Sequence, residues 1–144
     1  MIGIKLSISS TLLEDLDLLD KAVDAALERG INRTVKSAYQ SMIKQTQVYG
    51  WYPPNTSGNL RDSIGYVTST DKLINSAYSE YSATVGKYMA SIFALADYAW
   101  YLEFGTTHAA PYPFFTKAVW DSWGNIENVI RSELMLTTLI KRRK

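Results

Sequence analysis

YAWYLEFGTTHAAPYPFF, residues 98–115, gathers seven aromatics, one carboxylate and the chain's only histidine around a single glycine. Tyr98, Tyr101 and Leu102 fall on one face at helical spacing, and Asp97 stands where a helix cap is expected. Gly105 offers the positive φ with which short helices commonly end. Pro113 is a favoured first helical residue, so a second helix is expected to start there. The stretch therefore predicts a helix, a turn, a loop and a helix. Tyr98, Tyr101, Leu102, Phe104 and Phe114 are expected to pack inward, with Glu103 accepting backbone N–H groups in the Gly105 turn.

C-terminal to this join, Phe115, Val119, Ser122, Ile126, Val129, Ile130 and Leu134 recur at helical period, with Gly124 as a weak point. On the N-terminal side, Ile2, Ile4, Leu6 and Ile8 alternate as in a half-buried strand. From Thr11 the period changes: Leu12, Leu16, Leu19, Val23, Ala26 and Leu27 predict a helix, and Thr11 with Glu14 fits a capping box. The stripe resumes at Ile31, Val35, Ala38, Met42 and Ile43, which predicts one long helix kinked or interrupted at Gly30. Residues 50–60, with Pro53 and Pro54 in succession, read as a loop. Segments 63–68, 73–78 and 82–88, rich in β-branched and aromatic residues, predict an antiparallel meander, with a further strand around 91–94. The expected fold is α+β: a long N-terminal helix, a small antiparallel β-sheet of three to five strands, a short helix, and a C-terminal helix packed on the sheet.

The chain of 144 residues fits one domain, and 47% hydrophobic content can fill one core. A net charge of +1 lacks the cationic excess of a protein that grips nucleic acid or anionic membrane over its whole surface. Positive charge gathers instead at Lys141–Arg142–Arg143–Lys144, whose plain reading is a solvated helix end. The absence of cysteine excludes disulfides and thiolate metal sites. No long apolar run suggests a signal peptide or membrane span, so a soluble protein is expected.

Chemistry finds little purchase. One histidine without cysteine leaves only carboxylates to complete a metal site, and neither HExxH nor an aspartate-rich calcium loop is present. No serine sits in a G-x-S-x-G elbow, and both glycine-rich phosphate loops are missing. Glu103 and His108 could form an acid–base pair, the basis for a hydrolase or nuclease reading. The alternative without chemistry has Glu103 satisfied by backbone donors and His108 in an exposed loop. Neither a catalytic residue nor a cofactor is expected. Trp100, Tyr112, Trp120 and Trp123 exceed what one small core needs, and large aromatics favour protein interfaces. Trp51 and Tyr52, with Trp100, His108 and Tyr112, are thus the candidate contacts.

Two segments together resemble the head–tail joining, or neck, proteins of long-tailed bacteriophages, the gene-ten-like family of lambdoid phages. Pro54-Asn55-Thr56-Ser57-Gly58-Asn59-Leu60-Arg61-Asp62-Ser63-Ile64 is similar to that family's Pro-x-x-Thr-Gly-x-Leu-x-x-Ser-Ile, with Ser57 where threonine is usual. Tyr98-Ala99, Tyr101-Leu102-Glu103-Phe104-Gly105-Thr106 and then Pro113-Phe114-Phe115 with Ala118 resemble its Tyr-Ala-x-Tyr-Val-Glu-Phe-Gly-Thr and Pro-Phe-Leu-x-x-Ala, with Lys117 replacing a frequent proline. The resemblance implies a non-enzymatic virion protein at the head–tail junction, made in the bacterial host cytoplasm. It would act in tail completion or head closure as part of a homo-oligomeric ring. Its partners would be other neck proteins, on the portal or adaptor side and on the tail-tube or terminator side, with DNA passing nearby unread and no membrane. A different reading makes the chain a DNA-binding or scaffold-binding module acting through its basic tail.

Overall fold

The computed structural model describes residues 1–7, 21–48, 59–78, 80–82 and 84–142. The elements are β1 (Ile2–Ser7), α1 (Lys21–Val48), α2 (Asn59–Ser63), β2 (Ile64–Val67), β3 (Lys72–Leu73), β4 (Met89–Ala94), α3 (Ala99–Phe104), α4 (Phe114–Trp123) and α5 (Ile126–Arg142). The expected helix start at Thr11–Glu14 and most of the 50–60 loop lie outside the described residues.

The strands form one antiparallel sheet in the order β1-β4-β2-β3. Register follows the period-2 pattern. Ile2, Ile4 and Leu6 stand opposite Ala94, Ile92 and Ala90, while Ile64 and Tyr66 stand opposite Ala94 and Ile92, so these side chains share one face. Against that face lies α1, through Ile31, Val35, Ala38 and Met42, all fully buried at helical spacing. Phe114, Phe115, Ala118 and Val119 of α4 complete the same hydrophobic cluster, and α5 packs along α1.

The α+β reading holds, but the long helix does not break at Gly30. Its hydrogen-bonded run passes straight through, because the glycine serves packing: a Cβ there would stand 2.6 Å from Ile130 Cγ1 on α5 and 3.3 Å from Ile130 Cα. Beside this contact Glu133 of α5 receives Arg29 Nε at 3.0 Å and Arg33 Nη1 at 3.2 Å. Thr34, buried in the helix, donates its hydroxyl to the Gly30 carbonyl at 2.8 Å.

The meander is also corrected. β3 keeps only two residues, and the chain then turns into a 3₁₀ turn at Ser76–Tyr78. Asn75 supplies the competing bonds: its side chain accepts Ala77 N–H at 2.9 Å and its carbonyl accepts Tyr78 N–H at 2.9 Å. The described residues between 80 and 88 form no strand. Tyr81 packs over the reverse face of the sheet, on Phe93 with ring centroids 4.6 Å apart, while Lys87 pairs with Asp24 of α1 and Tyr88 packs against the core. Phe93 in turn lies over Gly65, at which a Cβ would come within 2.6 Å of the Phe93 ring and 2.4 Å of the Leu73 carbonyl oxygen. β4, which follows, inserts between β1 and β2 rather than at an edge.

The turn joining β2 to β3 is fastened to α1. Thr68 N–H donates to the Asp71 carbonyl at 2.8 Å, and Asn32 Nδ2 donates to Ser69 Oγ and Thr70 Oγ1, both at 3.2 Å. Lys36 pairs with Asp71, which holds the Asp71 carboxyl below its ordinary range and the Lys36 ammonium above its own. A lowered carboxylate pKa stabilises the fold above the usual carboxylate range, and this small contribution fades as pH falls through the folded value.

Gly30→Ala tests the packing role of this helical glycine. Propensity alone would make it stabilising by about 1 kcal/mol. Crowding against Ile130 is expected to reverse the sign and lower stability by about 1–2 kcal/mol, measured as a reduced denaturant midpoint.

Candidate interaction surface

Two helices and the loop between them meet at one carboxylate. A helix begins with N–H groups that lack intrahelical partners, and α4 has no capping side chain of its own, since Pro113 occupies the N-cap. Pro113 is not the first helical residue, as expected, but sits just outside the helix with ψ 68°. Each nearby N–H is nevertheless satisfied. Phe114 N–H donates to the Tyr112 carbonyl at 2.8 Å. Phe115 N–H donates to Glu103 Oε2 at 2.9 Å, and Thr116 N–H to Glu103 Oε1 at 3.0 Å. The Thr116 hydroxyl donates to the same Oε1. Glu103 is 3% exposed, and its negative charge lies at the positive end of the α4 dipole.

Glu103 thus accepts backbone N–H groups as expected, but at the start of α4 rather than within the Gly105 turn. The turn holds itself. Gly105 has φ 77°, and a Cβ there would stand 2.7 Å from Pro111 N and 2.9 Å from the Ala109 carbonyl oxygen. Thr106 N–H donates to Ala109 O at 2.9 Å, and Thr106 Oγ1 accepts His108 N–H at 3.2 Å and Ala109 N–H at 3.1 Å. Tyr112 N–H then closes the loop on the Leu102 carbonyl at 2.7 Å.

Capping by Glu103 fixes the rotation of α3. With Ala99 and Glu103 buried and Leu102 half-buried on the inner side, Trp100, Tyr101 and Phe104 are left 53%, 61% and 54% exposed. The expected inward packing of Tyr101 and Phe104 is overturned: on a six-residue helix the buried face is already taken. Trp100 and Phe104, one turn apart, instead pack on each other with ring centroids 4.4 Å apart. Asp97 is no cap either, for the α3 N-cap is Tyr98, without a side-chain bond, and Ala99 N–H donates to Ala96 O at 3.0 Å.

Of the candidate contacts, Trp100 and His108 are exposed. Tyr112 is corrected: half-buried against the core, it donates its hydroxyl to Gln45 Oε1 at 2.7 Å and so ties the α3–α4 link to α1. Trp123 also packs on the core, whereas Trp120 stands exposed. Trp51, Tyr52, Pro54, Ser57 and Gly58 lie outside the described residues.

The remaining motif residues come together. Leu60, Ser63 and Ile64 are buried, Ser63 Oγ donates to Leu60 O at 2.7 Å, and Ser63 O accepts Leu95 N–H at 3.1 Å. Tyr98 is half-buried beside them. Its phenol is pushed above the ordinary tyrosine range, first by burial and then by Tyr78, while a hydrogen bond with the Leu60 backbone opposes the rise. The segment entering β2 and the segment opening α3 are therefore neighbours, distant in sequence and joined in space.

The family model described as "Bacteriophage HK97-gp10, putative tail-component" matches residues 10–105, a span that contains the Pro54–Ile64 motif and ends at the Gly105 turn. The chain belongs to this family. As an HK97-gp10-like protein it is a structural component of the phage particle and contacts other virion proteins. No curated protein and no solved structure matches it.

The bonds that Glu103 accepts all hold the start of α4, and among the described residues no hydrogen bond or ion pair joins it to His108. Among the described residues no three His, Cys, Asp or Glu side chains cluster as a metal site, and no helix is long and apolar enough to cross a membrane. Sequence reasoning missed Thr116, Gln45 and the structural work of Gly65. The signal for placing Glu103 at the start of α4 was present: a helix opening on Pro-Phe-Phe has no capping side chain, so an acceptor must come from elsewhere.

Gly105→Val should cost more than about 2 kcal/mol, since it places a β-branched residue at positive φ with its Cβ against backbone atoms. His108→Ala should stay within about 0.5 kcal/mol of the parent. Thermal melts of the two variants side by side check this, and equal melting temperatures would contradict the turn geometry.

Proposed function

We propose that this tail-component family member works at the phage neck, joining head and tail as part of an oligomeric ring around the DNA path. The reading is carried by one observation: the Tyr101-Leu102-Glu103-Phe104-Gly105 segment and Trp100 before it present Trp100, Tyr101 and Phe104 to solvent on a helix whose orientation a buried carboxylate fixes. Such an aromatic face costs solubility unless another protein covers it. A preorganised one loses little entropy on docking.

Charge supports the same reading. The exposed surface between residues 98 and 113 carries no ionised side chain apart from what His108 can contribute, and the whole chain has a net charge of +1. A near-neutral subunit lets DNA slide past, whereas dense lysine would hold it through counterion release. In this role the face contacts neck proteins on the portal or adaptor side or on the tail-tube or terminator side. Trp51 and Tyr52 add to the contact, and the protein resides at the head–tail junction of the virion, having been made in the host cytoplasm.

The test is to add purified protein to lysates containing tail-deficient or head-deficient particles and follow its sedimentation with each. Association with at least one particle class, lost in a Trp100→Ala/Phe104→Ala double variant that keeps its melting temperature, is the expected result. Absence of association with both classes would reject the neck assignment.

A further inference from the structure

Away from the α3 face, an open cleft of about 360 Å³ runs along α1 beside the β2–β3 turn and α5. That is the volume of a small-ligand site rather than of a single water. Among the residues lining it is Asn32, only 8% exposed, whose Nδ2 is spent on Ser69 Oγ and Thr70 Oγ1. The amide oxygen of the same side chain has no partner among the described residues. A buried acceptor left unpaired costs stability, so one that lines a cleft is open to a donor from outside. Two cations line the cleft with it. Arg33 gives Nη1 to Glu133 at 3.2 Å and has its remaining donors unused among the described residues, and Lys36, one turn further on, is exposed beside Asp71.

We propose that this cleft binds an extended peptide segment of another protein through a single acidic side chain, whose carboxylate accepts from Arg33 and Lys36 while a peptide N–H donates to Asn32 Oδ1. The mixture of groups selects the ligand. Arg33 and Lys36 favour an anion, and charge-assisted bonds to a carboxylate are the stronger kind. Glu28 and Glu133 line the same cleft, so a chain of phosphates would meet repulsion beyond its first unit. A phosphodiester group also has no N–H or O–H with which to satisfy Asn32. A peptide supplies both the acceptor and the donor, and neutral or basic neighbours of its acidic residue suit the carboxylates of the cleft.

The recognising groups are held before any ligand arrives. Glu133 fixes Arg33 and takes Arg29 as well, Asp71 holds Lys36, and the β2–β3 turn holds Asn32 through two hydroxyls. Such preorganisation lowers the entropy cost of docking. The cleft shares no residue with the Trp100–Phe104 face, and the inference does not depend on the neck assignment.

The probe is the peptide acetyl-Ala-Ala-Asp-Ala-Ala-amide, titrated into the full chain while the Asn32 side-chain amide and the Arg33 Nε–H are followed by NMR. Both signals are expected to shift and saturate at millimolar peptide, with affinity about tenfold weaker for the same peptide carrying Asn in place of Asp. Arg33→Gln should weaken binding by a similar factor, and Lys36→Gln takes its place if the first variant lowers the melting temperature. Acetate, which has the carboxylate without the N–H, should leave the Asn32 signal unmoved. No saturable shift, equal affinity for the Asn peptide, undiminished binding in both variants, or an Asn32 shift with acetate would each overturn the assignment. Tighter binding of an octathymidylate strand than of the Asp peptide would also overturn it, in favour of a nucleic-acid site. The titration contains no phage particle, so its failure leaves the sedimentation result with head or tail particles to stand or fall separately.

Discussion

The C-terminal half of this protein depends on a carboxylate that caps a helix it does not belong to. Glu103 projects from α3 and takes the first N–H groups of α4, twelve and thirteen residues further along the chain. Three constraints follow from that bond. The intervening loop must fold back sharply, which Gly105 permits with its positive φ. The loop must also close on α3, through Tyr112 N–H and Leu102 O. Finally, α3 must turn its Glu103 edge inward, and a short helix that buries Ala99 and Glu103 has only Trp100, Tyr101 and Phe104 left for solvent.

A charged group buried in this way is costly unless fully partnered, and removing it would leave two N–H donors without acceptors. The motif Glu-Phe-Gly-Thr followed by Pro-Phe-Phe thereby becomes one physical unit. Glutamate caps, glycine reverses the chain, threonine holds the reversal, and proline opens a helix that needs the cap. The same unit sets which face of α3 is exposed, because a helix held by its cap cannot roll to bury Trp100, Tyr101 and Phe104.

Much of the fold was legible in sequence because local periodicity reflects burial. Ile31, Val35, Ala38 and Met42 keep a helical stripe, and Ile2, Ile4 and Leu6 alternate on a strand; both patterns persist in the core. What was not legible depended on partners distant in the chain. Gly30 looks like a breaker until Ile130 is seen against it. Residues 82–88 have strand composition, but the central place in the sheet goes to β4, and the segment ahead of it covers Phe93 instead. Within 98–115, aromatic content did not separate inner from outer residues, and that division followed from the Glu103 cap. Tyr112 therefore moved to the inside and Tyr101 and Phe104 to the outside.

The central claim, that Glu103 holds the start of α4, is tested most directly by amide hydrogen exchange at Phe115 and Thr116 in the parent and in Glu103→Ala. The account predicts that protection of these two amides falls at least tenfold in the variant, consistent with a loss of about 2–3 kcal/mol of local stability, while amides of β4 change far less. Unchanged protection at Phe115 and Thr116 would contradict it.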